Sequence, residues 1–415
     1  MCLRTFLFLL YSLLSNVSGI SQTTLTGKVQ DESGKPLAAA SVFLASTSFG
    51  SVANDKGQFS LSGMAPGRYD LVVSCMGYQT LSQSIDTRQI TAPLNIVLKA
   101  KVDELENVTI GPGEEATWAK WGQFFLENFI GTMPGSQDCK IENQADIRFR
   151  HFPKQKLLRA TSPKPLIIIN KALGYSITYQ LEYFQYDFDS RIVYYLGYPL
   201  FRQMQPKNER MQKKWAENRM DAYLGSQMHF LRSIYRNTAL EEGFEMRRLV
   251  KTPNLEKERV KKLMFSQIQS EGNLQISLSG SAGPVITSAN RDSANYYQQV
   301  MRQPDLMDIL YSPILPGDSV AFQVNPHTAG LEFTDYLHIT YVKEKEHPDY
   351  VQAQMRQSQK PGYQISMLKM NEARTLEIDQ QGMVNDPLIV LITGYWGWND
   401  KMATMLPYDY KVPKR

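Results

Sequence analysis

Between residues 22 and 98 turn-forming clusters recur about every ten residues, a cadence that leaves room only for short strands. Asp31-Glu32-Ser33-Gly34-Lys35-Pro36, Asn54-Asp55-Lys56-Gly57 and Met64-Ala65-Pro66-Gly67 are the clusters. Each combines residues that accept positive φ, fix φ, or bond their own backbone. Between them lie Ser41-Val42-Phe43-Leu44, Gln58-Phe59-Ser60-Leu61, and residues 69–74 and 81–85, rich in β-branched, aromatic and aliphatic side chains. About seven short strands in some eighty residues is the expectation for a Greek-key sandwich. The fold class expected for the chain is mainly β with a helical insert. A seven-stranded Greek-key β-sandwich (22–99) and a linker (100–116) precede a larger β-rich α+β domain (117–415), with a helical pair near 207–242.

The first segment resembles the carboxypeptidase regulatory-like domain, of prealbumin-like fold, found in many envelope proteins of Bacteroidota. The carrying residues are Gly27-Lys28-Val29, Asp31, Gly34-Lys35-Pro36-Leu37, Ala40-Ser41-Val42, Asn54 to Phe59, Gly67-Arg68-Tyr69 and Gly77-Tyr78. The resemblance implies a non-catalytic module for adhesion or docking. Residues 102–110 are similar to the segment that follows this domain in TonB-dependent transporters. A 22-stranded barrel needs well over ~200 residues in strands alone, plus loops and a plug. The roughly 300 residues after position 110 also carry a helical insert, so no transporter is expected. Asn218-Arg219, Gly225-Ser226, His229-Phe230-Leu231-Arg232, Gly394-Tyr395-Trp396-Gly397-Trp398 and Leu406-Pro407-Tyr408-Asp409-Tyr410 resemble Bacteroidota proteins that couple the regulatory-like domain to a second domain. That likeness carries no functional residues over.

Residues 1–21 read as a signal peptide: Arg4, then an apolar run from Phe6 to Leu14, then the small residues Ser18, Gly19 and Ser21. Cys2 precedes the run, so it is not placed as a lipoprotein cysteine. No later stretch has eighteen unbroken apolar residues, so no transmembrane helix is expected. The expected location is exported, in the periplasm or at the outer membrane. With 45 Lys and Arg against 41 Asp and Glu the net charge is +4, and no basic block stands out, which argues against nucleic acid as a partner. Cys75 and Cys139 fall in different expected domains; two separate thiols are favoured over a disulfide.

In the second domain, Trp118, Trp121, Phe125 and Phe129 fall at helical spacing and predict a core-facing stripe over residues 115–130. Residues 147–150, 166–169 and 175–198 read as strands, with inward positions at Ile177, Tyr179, Leu181 and Tyr183. Residues 211–223 and 227–242 predict two helices, broken by Gly225, N-capped by Ser226 and stopped by Gly243. The mixed charges over 251–262 read as a solvated helix face. Further strand patterns run over 274–278, 332–342, 364–369, 375–378 and 388–393.

Catalytic signatures are lacking. The five histidines are followed three positions on by Lys154, Arg232, Gly330, Tyr341 and Tyr350, so none supplies the His-x-x-Glu pair of a zinc carboxypeptidase. No Gly-x-Ser-x-Gly elbow exists, since Ser279-Gly280-Ser281-Ala282-Gly283 has the wrong spacing and reads as a turn. No metal or cofactor is called for. The candidate binding residues are Arg219, Tyr223, His229 and Arg232 around the Gly225-Ser226 break. Arg219 and Tyr223 share a helix face, as do His229 and Arg232. A helix starting near Ser226 would add backbone donors, so an anion or carboxylate could dock there. The plainer alternative is a polar hinge satisfied within the fold. The aromatic run from Tyr175 to Tyr198 offers faces for sugar stacking or, more simply, for packing. Asp292-Ser293-Ala294 and Asp318-Ser319-Val320 resemble short O-glycosylation motifs in loop-like sequence. The expected function is that of a non-catalytic envelope protein binding a glycan or an outer-membrane protein partner. The alternative is a hydrolase of envelope or dietary polymers whose carboxylates sequence does not single out.

Overall fold

Turn residues of the first segment act by bonding their own backbone. Asp31 Oδ1 accepts from the Ser33 and Lys35 amides at 2.9 and 3.0 Å, and Asn54 Oδ1 from the Lys56 and Gln58 amides at 3.0 and 2.9 Å. Gly57 has φ +74°, and a Cβ there would lie 2.3 Å from the Val29 carbonyl oxygen, so only glycine closes this turn. In the computed structural model, which describes residues 23–101, 114–271, 291–355, 360–372 and 374–413, these turns join seven strands. They are β1 (Thr23–Asp31), β2 (Ser41–Leu44), β3 (Gly50–Val52), β4 (Gln58–Met64), β5 (Arg68–Ser74), β6 (Leu81–Asp86) and β7 (Leu94–Leu98).

Two sheets result, in order β4-β1-β7 and β3-β2-β5-β6, with β1 antiparallel to β4 and parallel to β7. Alternation along β4 turns Phe59 and Leu61 inward, where they meet Leu25, Val29, Val42, Tyr69, Leu71 and Ile96. Each such side chain contributes roughly 1.5–3 kcal/mol on burial. The N-terminal region is therefore a β-sandwich with its own core, as expected. The leader expected at 1–21, the strand at 274–278 and the turn at 279–283 lie outside the described residues.

The next region is built on β8 (Glu114–Ala116), α1 (Trp118–Phe129), β9 (Cys139–Ile141), β10 (Arg148–Phe152), β11 (Leu157–Thr161), β12 (Leu166–Asn170), β13 (Tyr175–Asp187) and β14 (Ile192–Gln203). The sheet runs β8-β10-β11-β13-β12-β9, with β14 also paired to β13. The stripe expected on α1 faces this sheet: Phe125 and Phe129 are fully buried, and Trp118 and Trp121 pack against the same cluster. Phe125 meets Phe184 edge-on at 4.7 Å, and Phe129 meets Tyr179 at 5.1 Å. The alternation expected through Tyr183 fails. A register shift between Leu181 and Tyr183 inserts one residue, which exposes Tyr183 and buries Phe184.

Two helices follow, α2 (Glu209–Tyr223) and α3 (Gln227–Arg236). Asn208 caps the first and Ser226 the second, the latter through its hydroxyl and the His229 amide. The second helix ends at Arg236, short of the expected 242, because Asn237 adopts φ +55° and its amide closes on the last turn.

The chain then forms β15 (Phe244–Pro253), α4 (Leu255–Glu271), α5 (Arg291–Arg302), β16 (Leu306–Leu310), β17 (Ala321–Asn325), β18 (Thr328–Leu331) and β19 (Tyr336–Lys345). It finishes with α6 (Pro348–Ala353), β20 (Tyr363–Met370), β21 (Leu376–Asp379), β22 (Val390–Gly394) and α7 (Tyr395–Asn399). Sheets β16-β15-β19-β20-β22 and β17-β18-β21 cover α3. Residues 292–294 thus begin a helix, not the loop expected there, whereas Ser319 ends a short 3-10 turn.

After residue 114 the buried apolar side chains separate into two clusters. Tyr223, at the end of α2, belongs to the first, and Phe230, Leu231 and Ile234 of α3 belong to the second. The Gly225-Ser226 break is where the chain crosses from one core to the other. Cys75 is half-buried and Cys139 buried; both are free thiols, and burial pushes that of Cys139 up to about 12.

Candidate functional site

The four candidate residues are brought together around the helix break, and each is engaged by the chain itself. Arg219 donates to the Leu173 and Gly174 carbonyls at 2.7 and 3.2 Å and stacks over Tyr175. Tyr223 is buried, with the His229 ring 4.7 Å away. His229 Nδ1 accepts from the Gly225 amide at 3.1 Å, which leaves the ring proton on Nε2, donated to Glu242 Oε2 at 2.9 Å. Burial lowers the His229 pKa against the opposing pull of Glu242, so the ring is neutral near pH 7. Arg232 donates to three backbone carbonyls: Gln381 at 2.9 Å, Tyr410 at 3.1 Å and Tyr408 at 2.9 Å.

The start of α3 does receive a carboxylate, and it comes from the far end of the chain. Asp400 Oδ2 accepts from the Gln227 amide at 2.8 Å, while Oδ1 accepts from Asn399 Nδ2 at 3.1 Å. Exposed backbone donors at a helix N-terminus favour an anion in this way. Beside it a cavity of about 200 Å³ is bounded by α3, by Tyr195 of β14, by Ser46 of the sandwich and by residues 400–408. Asp400 is the single carboxylate lining it, so no glycosidase pair faces this space. Burial pushes the Asp400 carboxyl up to about 6, and pushes the Lys401 ammonium down to about 8. Sequence reading missed both residues: they lie some 170 positions from Gln227, and neither stands in a local motif. Among the described residues no cluster of three His, Cys, Asp or Glu could hold a metal.

The aromatic run is mostly spent on packing. Tyr175, Tyr179 and Phe184 are buried, Tyr186, Phe188 and Tyr195 lean on the same core, and Tyr183 and Tyr194 are exposed.

The sandwich joins this junction directly. Its Ser46 amide donates to the Pro199 carbonyl at 2.7 Å, and its Thr47 carbonyl accepts from Phe201 at 2.9 Å. Leu200 packs into Phe43, Ala45 and Val72. Arg68 pairs with Glu377 at 2.7 Å, and the Ser48 amide donates to Asp409 at 2.8 Å. Residues 25–110 match the CarboxypepD_reg-like domain. The TonB-dependent receptor P39 of Formosa agariphila is 32% identical over 110 residues, which is 26% of this chain and 10% of the receptor. The chain thus matches about a tenth of that relative's length.

Similar solved structures include an N-terminal interface mutant of a type II cohesin–X-dockerin complex from Acetivibrio cellulolyticus (21% identity, 19% of this chain, 58% of that chain, TM-score 0.16). Another is a 9R-lipoxygenase from Cyanothece PCC8801 (9% identity, 55% and 50% covered, TM-score 0.14). A third is a putative membrane-associated protein from Bacteroides fragilis NCTC 9343 (11% identity, 86% and 93% covered, TM-score 0.15). None of these likenesses assigns an activity to this chain. No helix among the described residues is long and apolar enough to cross a membrane.

Proposed function

We propose that this is an exported, non-catalytic envelope protein whose larger region binds a protein partner by strand addition at β16. The observation that carries the reading is the exposure of all five residues of β16, on both of its faces. A strand inside a fold ordinarily buries at least one face. Leu306, Met307, Ile309 and Leu310 bury neither, and the next residue along the chain, Tyr311, is exposed as well. β16 also ends its sheet, so among the described residues one row of its backbone donors and acceptors has no neighbouring strand. Together these features suit an added strand: the backbone supplies affinity and alternate side chains supply specificity.

The CarboxypepD_reg-like domain then acts as a docking module within its own chain, since its loop at Ser46–Ser48 is already bonded to β14 and to Asp409. Arg219, Tyr223, His229 and Arg232 serve this reading as positioning residues that hold the junction together. The leader-like pattern at 1–21 and the likeness to part of a TonB-dependent receptor support export. Hydrogen exchange on the full mature chain, with and without detergent-extracted outer-membrane proteins of the same organism, tests the proposal. Protection of the Leu306, Asp308 and Leu310 amides, which alternate with the amides directed at β15, is expected, and Leu310→Pro, which removes one outward donor, weakens it. Unchanged exchange at β16 in the presence of such extracts counts against the reading.

A further inference from the structure

No residue of β16 lines the cavity beside α3. Its polar lining is only partly used by the fold. Among the described residues the Lys401 ammonium has no hydrogen-bond acceptor and no ion pair within 4 Å; it lies 5.9 Å from the Tyr195 ring and feels the Asp400 carboxylate only at longer range. Lys401 and Asp400 are chain neighbours whose charges attract, yet they make no direct ion pair or hydrogen bond with each other. The Tyr408 hydroxyl and the Gln227 side-chain amide, which line the same space, likewise have no partner. Each Asp400 oxygen accepts one bond and keeps a lone pair for another.

The remaining wall is apolar, with Met228, Leu231 and Met405 among its side chains. At about 200 Å³ the space exceeds the roughly 150 Å³ of a cavity that holds benzene. A ligand of about ten non-hydrogen atoms therefore fits. One cation and one carboxylate that make no direct pair, lining a space otherwise walled by apolar side chains, complement a molecule that carries both charges and an apolar tail.

We propose that this cavity binds a free α-amino acid with a medium-sized apolar side chain. The ligand carboxylate meets Lys401, its ammonium meets Asp400, and its side chain lies against Met228, Leu231 and Met405. Two separated charges select against analogues that lack either one, because the unmatched protein group would then be desolvated without a partner. The downward pull of burial on Lys401 and its upward pull on Asp400 agree with a site whose two charges are completed by a ligand.

The test is isothermal titration of the full mature chain with L-leucine and L-methionine at pH 7. N-acetyl-leucine, which lacks the ammonium, and leucinamide, which lacks the carboxylate, serve as comparisons. Binding of the free amino acids is expected, with each analogue weaker by about tenfold or more. Lys401→Met removes the charge without removing a hydrogen bond, so it folds and abolishes binding. Asp400→Asn keeps an acceptor for the Gln227 amide and weakens binding by a similar factor. Thermal unfolding of both variants confirms that they fold. Absence of heat and of any Tm shift with either amino acid up to millimolar concentration overturns the proposal. So does equal binding of the two analogues, or full binding by the folded Lys401→Met protein. Loss of strand protection at β16 leaves this site unaffected, so the two readings fail separately.

Discussion

Burial moves Lys401 and Asp400 toward neutrality, and the pH dependence that follows has a definite sign for each. Lys401 titrates at about 8 in the fold against an ordinary 10.5, so below pH 8 the fold carries its charge at a cost. Between about 8 and 10.5 the unfolded chain holds the proton and the fold does not, and stability rises with pH. Asp400 titrates at about 6 against 3.8, so across that interval the fold holds the extra proton and stability falls as pH rises. Lys401→Met is therefore expected to stabilise the protein at pH 7, on the order of 1–3 kcal/mol, and to flatten the rise between pH 8 and 10.5. Urea denaturation across pH 7–11 measures both effects. A variant less stable than the parent at pH 7 would show that the ammonium is satisfied in the fold.

Elements were legible in the sequence where their determinants are local. Asp31 and Asn54 bond amides two and four residues on, so the turns they form can be read directly. The Phe125 and Phe129 stripe has helical spacing and buries as such. The inserted residue in β13 and the early end of α3 were not legible, because a pairing partner decides the first and the backbone of Asn237 the second. Asp400 escaped for a related reason: only the folded chain brings it to Gln227.

Gly225 shows how tightly the element boundary between α2 and α3 is held. It has φ +72°, and a Cβ would lie 2.7 Å from Gln364 Oε1 and 2.8 Å from Tyr341 Cδ1. Both neighbours are buried, so neither yields freely. Its carbonyl also accepts from Trp396 Nε1 at 2.6 Å, which ties the break to α7. Gly225→Ala is expected to destabilise by about 2–4 kcal/mol, combining left-handed strain with overpacking. Equilibrium urea denaturation gives the value, and a loss within about 0.5 kcal/mol would mean that the break relaxes without cost.

At the scale of the whole molecule, three cores meet at a seam that the C-terminal segment closes. Met402, Ala403 and Leu406 enter the core under α1, the Tyr408 amide donates to Ser46 of the sandwich at 2.7 Å, and Arg232 grips the Tyr408 and Tyr410 carbonyls. The Arg68–Glu377 pair is partly solvated and contributes at most about 1 kcal/mol to this seam. An apolar contact adds to the backbone bonds there: Leu200 is 3% exposed among Phe43, Ala45 and Val72. The sandwich has its own core, to which that contact does not belong. Leu200→Asp places an unpaired charge in the seam while leaving that core intact, so it penalises the docked arrangement selectively. Calorimetry of the parent is expected to show one cooperative transition, and of Leu200→Asp two, with the sandwich melting independently. A single transition in the variant would mean that the backbone bonds at Ser46 and Thr47 hold the seam without the apolar contact.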